Sequence, residues 1–436
     1  MSYWANLPAP ILLQVIYSLD IKSVLQVCLV CRHWSNFARS DAVWRRLFAR
    51  RWKKQRESTR NKRQSTWMDE YKHLQSFFSF RRLKLEVDGE AWFLTFSRDG
   101  KKMAASTRAG SAFLWSVNRE KTDAQDFSVV CSLEQRVSID RGYECYVCSF
   151  SPNSRLLLLT AVDINVEATV HTAGTAFVFD SMSSMKLIGY VDKLVFYLTT
   201  SMAWIDDSSF FGCQWDTIEE IINVNVYSPL PVMTLRQLCS FDCGPSKAIK
   251  SVVHIRLYTL DGGKHYDLVA IVCPDRPDMS LHVLWRSKWS EKSLPPKLTF
   301  DISKSVDLNC LVCGMEMTPL YKRLVTVCTS VLTNTNASMR DVEVKVFDLE
   351  TLACLQCLPS CKLALRQWHL FVGVNEDYVA CGDESGAVIV WDLVHEIVVC
   401  ELKGHEQLVN AVAWHPTIFG VIAAAGDDHS VTLWHS

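Results

Sequence analysis

The hydrophobic residues of this chain follow two different periods, and the change falls near residue 83. Before it, apolar side chains recur at the spacing of a helix face. The first such face consists of Ile11, Leu12, Val15, Ile16 and Leu19. After it, short runs rich in β-forming residues alternate with turn residues. The pattern therefore predicts a small α-helical region followed by a large all-β region.

The N-terminal helical region carries more apolar surface than a unit of its size can bury internally. Pro8 and Pro10 suit the entry of the first helix. Residues 24–31 are apolar nearly all round, and we expect them to form a second helix with Ser23 as its N-cap. Asp41 is expected to cap a third helix. The apolar surface in excess of what the region can bury predicts a surface for a partner. The alternative is that this surface packs against the rest of the chain.

Length and composition narrow the class of protein. With 436 residues, 49% of them hydrophobic and 21% charged, the chain is expected to be globular and to hold several domains or one large repeat architecture. Its 17 cysteines, without a signal-peptide pattern, indicate reduced thiols. Apolar runs long enough to span a membrane are missing from the sequence. We expect a cytoplasmic protein without a membrane span, with the nucleus as a second location.

Charge is divided unevenly along the chain. Residues 1–82 carry 16 basic and 5 acidic residues, a net charge of +11, and the remainder carries a net charge of −12. The basic residues concentrate in 45–63, where a nuclear signal, a nucleic-acid contact or a solvated linker are the alternatives. We expect a linker, because an aromatic ladder or zinc spacing typical of nucleic-acid binding does not accompany the run. Thr66-x-x-Asp69 then forms a capping box that predicts a linker helix.

Two stretches near the C-terminus repeat each other. Residues 380–392 and 424–434 both predict a strand, an acidic turn and a strand that ends in Trp, and Gly404-His405 precedes the second. This pattern resembles the GH…WD signature of WD-repeat propeller blades. The resemblance implies that a loop His bonds a turn Asp beside the Trp. Ala occupies the strand position usually filled by Ser or Thr, so we expect the network to be incomplete. The residues predicted for such ties are His405, Asp427 or Asp428, Trp434, Asp383 and Trp391.

Weaker copies of the same pattern lie upstream, such as residues 94–115 and 324–348. Together they predict seven blades. The last blade lacks a fourth strand, because the sequence ends just after Trp434. Residues 82–87 resemble such a strand, so we expect them to pair with the last blade and join both ends of the ring, which removes an exposed sheet edge.

The N-terminal region resembles an F-box in the order and spacing of its motifs. These are Leu7-Pro8, Ile16, Leu19-Asp20, Val24-Leu25, Leu29-Val30-Cys31-Arg32, Trp34 and Asp41-x-x-Trp44. The resemblance implies docking on the Skp-family adaptor of SCF (Skp–cullin–F-box) ubiquitin ligases, and through it on a cullin. Trp34 and Trp44 are expected in the core. The candidate adaptor contacts are Leu7, Pro8, Ile11, Leu12, Ile16, Leu19, Val24, Leu25 and Val30.

The whole chain thus resembles the F-box/WD-repeat family. The predicted fold is a small all-α F-box (3–51), a basic linker with a linker helix (52–81), and an all-β WD-repeat propeller (82–436) of seven blades closed by an N-terminal strand. The resemblance implies a non-catalytic substrate receptor that binds a protein substrate through the propeller. The alternative is a WD-repeat scaffold that assembles complexes without ubiquitylation.

Other candidate chemistry receives simpler interpretations. The spacing C-x-x-C recurs at Cys28/Cys31, Cys145/Cys148, Cys310/Cys313 and Cys354/Cys357. Residues i and i+3 of a strand point to opposite faces, and Cys28 and Cys31 lie in an apolar segment, so we expect packing instead of a zinc or redox site. His405 beside an acidic pair lacks a nucleophile motif. We expect no catalytic residue, metal or cofactor.

Overall fold

The computed structural model describes most of the helical region and strands from every part of the β region. The described residues are 7–52, 64–121, 127–139, 142–163, 173–195, 202–204, 207–208, 210–216, 221–228, 234–240, 249–260, 265–274, 283–290, 304–307, 311–320, 323–329, 340–358, 361–363 and 370–435.

The helical region contains one more helix than the sequence predicted. Its elements are α1 (Ala9–Ser18), α2 (Ile21–Val27), α3 (Arg32–Ala38), α4 (Asp41–Arg51), α5 (Trp67–Ser76) and a 3₁₀ turn (Phe77–Ser79). The expected second helix is wrong in its end: α2 stops at Val27, and a turn over 28–30 leads into α3. Residues 24–31 contain neither Gly nor Pro, so the sequence carries no signal for this break.

Two helix starts differ from the prediction by a few residues. Asp20, not Ser23, caps α2: the backbone N–H of Ser23 donates to Asp20 Oδ1 at 2.9 Å. Hydrogen bonds from the side chain of Ser23 and from its backbone lower the pKa of Asp20. Ser40 takes the N-cap position of α4. Asp41 instead accepts a hydrogen bond from the Trp67 backbone N–H at 2.9 Å, which fixes the start of α5 against α4.

The linker helix has the predicted cap. The backbone N–H of Asp69 donates to Thr66 Oγ1 at 3.1 Å, and the Thr66 hydroxyl donates to the Asp69 carboxylate at 2.6 Å. One orphan backbone N–H at the start of α5 is thereby bonded, and the second hydrogen bond fixes the capping side chain. None of the helices in the described ranges is long and apolar enough to cross a membrane.

Within the described ranges the strands form seven antiparallel sheets. The first contains β2 (Ala91–Phe96), β3 (Lys102–Thr107), β4 (Ser111–Lys121) and β5 (Phe127–Ser138). The second contains β6 (Tyr143–Phe150), β7 (Leu156–Asp163), β8 (Ala173–Asp180) and β9 (Lys186–Val195). The third contains β10 (Met202–Trp204), β11 (Phe210–Asp216), β12 (Ile221–Ser228) and β13 (Thr234–Ser240).

The remaining sheets follow in chain order, except for one strand. The fourth contains β14 (Ile249–Leu260), β15 (His265–Pro274), β16 (Val283–Ser290) and β17 (Lys304–Asp307). The fifth contains β18 (Leu311–Met317), β19 (Arg323–Thr329), β20 (Arg340–Asp348), β21 (Cys354–Cys357) and β22 (Cys361–Leu363). The sixth contains β23 (Gly373–Val374), β24 (Tyr378–Gly382), β25 (Ala387–Asp392) and β26 (Ile397–Lys403). The seventh contains β27 (Val409–Trp414), β28 (Val421–Gly426), β29 (Ser430–His435) and β1 (Arg81–Glu86).

The outer strand of the seventh sheet comes from the opposite end of the β region. Strand β1 pairs antiparallel with β29, with Arg82 opposite Trp434 and Leu85 opposite Val431. The predicted pairing of residues 82–87 with the last strand is therefore present, shifted to begin at Arg81. Because β1 directly follows the linker helix, this pairing also sets where the helical region lies relative to the seventh sheet.

One hydrophobic cluster joins the helical region to the sheets. From the helices it includes Trp44, Phe48, Tyr71 and Phe77, and these pack in the same cluster as Tyr378 of β24. Other sheet residues in it are Ile397, Val399, Val409, Trp414 and Trp434. The helical region and the sixth and seventh sheets therefore share a core.

Candidate protein-docking surface

The helical region leaves several large aliphatic side chains uncovered. They lie on α1, on α2 and in the turn that follows α2. The exposed fractions are 48% for Ile11, 37% for Val15, 47% for Leu25, 77% for Leu29 and 62% for Val30. We call these residues the open side. A concentration of exposed apolar side chains on so small a region indicates a surface used for binding another protein.

Burial separates the predicted contact residues into two groups. Pro8, like Ile11, Leu25 and Val30, is exposed, and Leu7 and Leu19 are half-buried. The three remaining candidates, Leu12, Ile16 and Val24, have no exposed surface at all. Their predicted contact role is therefore corrected: they form the core of the helical region, because positions 12 and 16 lie one turn apart on the inward face of α1.

Sequence reasoning missed two residues of the open side as candidate contacts. Val15 follows Ile11 by four positions, so helical spacing places it on the same face of α1. Leu29 belongs to the L-V-C-R motif, but the prediction put it inside a helix. Its position in the turn after α2 is what exposes it. The missing signal was the end of α2.

The opposite part of the helical region is covered by aromatic packing. Trp44 is buried as predicted, and its Nε1–H donates to the carbonyl of Ala38 at 2.9 Å. Its ring meets Tyr71 edge-on at a centroid distance of 5.5 Å, and Phe48 meets Trp67 at 5.1 Å. We call this aromatic group, completed by Trp52 and Phe77, the covered side. Trp34, also predicted to be core, is only half-buried.

A buried polar pair joins the covered side to the sixth sheet. His395, in the connection between β25 and β26, bonds through Nε2 to Glu70 Oε1 of α5 at 2.8 Å, and both side chains have 1% exposure or less. The other oxygen of Glu70 accepts the Gln64 backbone N–H at 2.9 Å. The ring of His395 also packs 4.7 Å from that of Phe48. Such a pair gives the contact one defined geometry, because either partner left alone would be a buried polar group without its mate.

The same cluster contains a third candidate ligand atom. Glu70, Asp392 and His395 lie close enough for their side chains to hold a metal ion. However, Asp392 Oδ1 already accepts the backbone N–H groups of Val394 and His395, at 2.7 and 2.8 Å. These hydrogen bonds hold Asp392 to the loop after β25, and the Glu70–His395 bond holds the same loop to α5.

A further contact shows which end of the sheets α5 occupies. His73 bonds to the Tyr378 hydroxyl at 2.8 Å and stacks on Phe419 at 4.5 Å. Tyr378 begins β24, and Phe419 lies between β27 and β28. His395 lies between the third and fourth strands of its sheet. In an antiparallel sheet, the connection between the first and second strands lies at the same end as the connection between the third and fourth strands. The connection between the second and third strands lies at the other end. The acidic turns, including residues 383–386 and 427–429, are of this last kind and therefore lie at the end away from α5.

The predicted histidine tie forms at that other end. His405 Nδ1 donates to Asp428 Oδ1 at 2.8 Å, and the ring of His405 lies 6.0 Å from that of Trp434. The hydroxyl of Ser430 donates to the same carboxylate at 2.6 Å, and Lys84 Nζ donates at 3.1 Å. Asp428 therefore connects the loop before β27, the turn before β29, and β1.

The electrostatics of the tie follow from these contacts. Burial alone would raise the pKa of Asp428, but the hydrogen bonds from Ser430 and His405 outweigh it and lower the pKa to about 2. Burial lowers the pKa of His405, and the nearby carboxylate only partly opposes that shift. The tie is thus a neutral imidazole, a carboxylate and an ammonium group at neutral pH.

The structure decides between the two acids predicted for the tie. Of the two candidate acids, Asp428 bonds His405, whereas Asp427 accepts from Asn410 Nδ2 at 2.6 Å. Asn410 also donates to the Ala91 carbonyl, which links the seventh sheet to the first. The predicted incompleteness of the network is confirmed: among the described residues the buried Nε2 of His405 has no hydrogen-bond partner, although Ser430 supplies a hydroxyl to Asp428 from the neighbouring strand. Its position right after the acidic turn was the available signal.

The equivalent residues of the sixth sheet act locally. Asp383 Oδ1 accepts the backbone N–H groups of Ser385 and Ala387, both at 2.9 Å, and so caps its own turn. Trp391 is fully buried in the cluster shared by the fifth and sixth sheets. Asp383 therefore stabilises its own turn, and Trp391 stabilises the core between two sheets.

Comparisons with known families match the two ends of the chain. Residues 4–50 match the F-box-like family model, and residues 397–435 match the model of the WD domain, G-beta repeat. The first match coincides with α1–α4, and the second with β26–β29. The chain thus combines an F-box-like region with WD-type β-sheets.

Similarity to individual proteins extends over nearly the whole chain. F-box/WD repeat-containing protein 5 of Rattus norvegicus is 20% identical over 552 residues, covering 99% of this chain and 94% of that protein, and the Homo sapiens protein of the same name gives 20% with the same coverage. The WD repeat-containing protein 26 homolog of Drosophila melanogaster is 22% identical over a match that covers 79% of this chain. The same match covers 46% of that relative's length. The predicted resemblance to F-box/WD-repeat proteins is confirmed.

Proposed function

We propose that this protein is a substrate receptor of an SCF-type ubiquitin ligase. The open side of the helical region binds the Skp-family adaptor and, through it, the cullin, and the β region binds a protein substrate. The observation that carries the proposal is the open side itself, which lies on a segment that matches the F-box-like model. The cluster of exposed aliphatic side chains has the character of an interface core.

We infer that the seven sheets are the blades of one closed ring. Each sheet contacts the next in chain order, and β2 of the first sheet contacts β27 and β28 of the last. A cavity of about 320 Å³ is lined jointly by innermost strands of the first, fifth, sixth and seventh sheets. Its lining includes Phe96, Glu316, Val374 and Trp414, which are far apart in sequence. Strand β1 then joins both ends of the ring within the seventh sheet.

The position of α5 indicates which face of this ring is covered by the helical region and which face is open to a substrate. Its contacts with His395, Tyr378 and Phe419 occupy one face. The substrate therefore binds the opposite face, where the acidic turns lie. The net charge of −12 after residue 82 favours a basic substrate segment through long-range attraction.

The receptor contributes no chemical step of its own. It holds a substrate near a ubiquitin-charged enzyme recruited by the cullin, so that the gain in rate comes from proximity and a raised effective concentration. The buried Glu70–His395 pair serves this role by fixing the direction of the ring relative to the adaptor. The second candidate function is a WD-repeat scaffold without ubiquitylation, favoured by the similarity of 79% of the chain to a protein named for WD repeats alone.

Adaptor binding by purified full-length chain tests the proposal. Leu29→Asp and Val30→Asp place a carboxylate in the open side, and we expect affinity for the Skp-family adaptor to fall by about 100-fold, the effect of losing an interface hot spot. Leu320→Asp is the matched control, because Leu320 is as exposed as Val30, at 62%, but lies in the β region. It should leave the affinity unchanged.

Two outcomes contradict the proposal. If the wild-type chain does not bind the adaptor, or if the control loses as much affinity as the open-side variants, the open side is not the docking surface. Assembly with adaptor and cullin but without transfer of ubiquitin to any captured protein favours the scaffold. Unfolding curves of each variant exclude loss of fold as the cause.

A further inference from the structure

One pair of cysteines is arranged differently from the prediction made for C-x-x-C sequences in strands. Cys354 and Cys357 stand at the two ends of β21, and their Sγ atoms lie 3.7 Å apart. The reason is an irregularity in the pairing of β20 with β21: Phe347 lies opposite Cys354 and the adjacent Val346 lies opposite Gln356. This β-bulge re-aims the strand so that both thiols meet on one side.

We propose that Cys354 and Cys357 are a reversible oxidation site that closes to an intrachain disulfide when the protein meets a peroxide. One thiolate attacks hydrogen peroxide and becomes a sulfenic acid, with release of hydroxide. The second thiol then displaces water from this sulfenic acid and forms the S–S bond. Overall, two thiols and one hydrogen peroxide give one disulfide and two waters. Two electrons pass from the sulfurs to the peroxide.

The position of the strand permits the required movement. A disulfide needs an S–S distance of about 2.05 Å, so the sulfurs have to approach by about 1.7 Å. Strand β21 lies at the edge of its sheet, and among the described strands its main chain pairs with β20 alone. The ends of a strand with a main-chain ladder on one side can shift by this amount without breaking a second ladder. The closure is therefore local.

Exposure distinguishes this pair from a similar one in the second sheet. Both Cys354 and Cys357 are exposed, so a small oxidant reaches them. Cys145 and Cys148 have no exposed surface, and burial raises the pKa of both thiols. They serve as an internal control with the same sequence spacing. The predicted pair Cys310/Cys313 lies outside the residues whose side chains the structure describes.

Both cysteines of the exposed pair are free thiols in the structure. Burial and the neighbouring Cys357 raise the pKa of Cys354, while the ammonium group of Lys345 opposes this rise. Gln356, between the two cysteines, donates through Nε2 to the Leu393 carbonyl at 3.0 Å and so anchors β21 to the sixth sheet. The two cysteines thus lie at the exposed ends of a short strand whose middle residue, Gln356, is held by a hydrogen bond.

Mass spectrometry of the native full-length chain tests this proposal. The protein is treated with mild hydrogen peroxide, its remaining thiols are alkylated, and its peptides are identified before and after reduction with dithiothreitol. We expect most of the peptide containing Cys354 and Cys357 to lose two hydrogens, to resist alkylation, and to recover both thiols after reduction. Cys145 and Cys148 should stay unoxidised under the same treatment.

Single variants separate the disulfide from general oxidation. In Cys357→Ser, Cys354 should accumulate as a sulfenic acid that dimedone traps, and no disulfide should form. Both positions are exposed, so the serine variants are expected to fold. The proposal is overturned if both thiols remain alkylatable in native protein, if they advance to sulfinic acid without pairing, or if a disulfide forms only after denaturation.

Discussion

The covered side and the open side of the helical region differ in composition as well as in exposure. The covered side consists of aromatic rings, such as Phe48 and Trp67, that pack against the sixth and seventh sheets. The open side consists of aliphatic residues, such as Leu25 and Leu29, that nothing in the chain covers among the described residues. The aromatic part of the apolar surface is thus buried within the chain, and the aliphatic part stays exposed.

The largest effect is expected on the covered side. Phe48→Ala removes a fully buried ring that contacts Trp52, Trp67 and His395. It should lower the free energy of unfolding by about 4 kcal/mol, the usual cost of such a cavity. Urea unfolding measures this change. A loss below about 1 kcal/mol would mean that the helical region does not depend on the covered side.

The second largest effect on stability is expected at the buried Glu70–His395 pair. Glu70→Leu leaves His395 buried without its partner and should cost about 3 kcal/mol in the free energy of unfolding. The double variant Glu70→Leu with His395→Leu should recover most of this loss, because two apolar side chains replace the buried pair. The double-mutant cycle is measured by urea unfolding. If the double variant is as unstable as the sum of the singles, the pair is not coupled.

The tie at Asp428 should have an intermediate effect, and it should act on the β region without changing either side of the helical region. Asp428→Asn weakens hydrogen bonds from His405, Ser430 and Lys84 and should cost about 2 kcal/mol at pH 7. Adaptor affinity should be unchanged in the folded variant. An equal loss of adaptor affinity would show that the open side depends on this distant tie.

The same tie predicts a dependence on pH. The folded pKa of Asp428 is about 2, below the value of about 3.9 for an unfolded chain. Its stabilisation is therefore complete above about pH 4 and is lost as the pH falls toward 2. The difference in unfolding free energy between wild type and Asp428→Asn should shrink over that interval. A difference that stays constant would contradict the assigned role of the carboxylate.

The smallest effect on stability is expected on the open side. Leu29→Ala removes a side chain that is 77% exposed, so the free energy of unfolding should change by less than about 0.5 kcal/mol. Adaptor affinity should nevertheless fall, which distinguishes this side from the covered one. A destabilisation comparable with that of Phe48→Ala would remove the distinction on which the comparison rests.

Local patterns were sufficient for much of the fold. Helical and strand periods placed the change of architecture near residue 83, and the Thr66–Asp69 spacing correctly predicted the cap of α5. Repetition of a strand–turn–strand pattern identified the WD-type sheets and the pairing of residues 82–87 with the last strand. These features depend on residues that are close in sequence or that repeat, so a single chain reveals them.

Other predictions were wrong, or were not made, because the sequence carries only weak local signals for the features concerned. The end of α2 has no Gly or Pro, so Leu29 and Val30 were assigned to a helix when they lie in an exposed turn. Spacing alone also could not distinguish Asp427 from Asp428, or reveal the bulge that brings Cys354 to Cys357. Each case depends on where a single residue lies, and a periodic pattern over many residues does not define one position that closely.

The sequence by itself determined the order of elements, the two kinds of region and the F-box-like and WD-type motifs, since these follow from local spacing and turn chemistry. Only the tertiary structure decided which apolar side chains are covered and which polar groups meet. Glu70 and His395 are 325 positions apart, and Lys84 and Asp428 are 344 apart. Burial and pairing over such separations depend on how distant sheets assemble, and no local pattern contains that information.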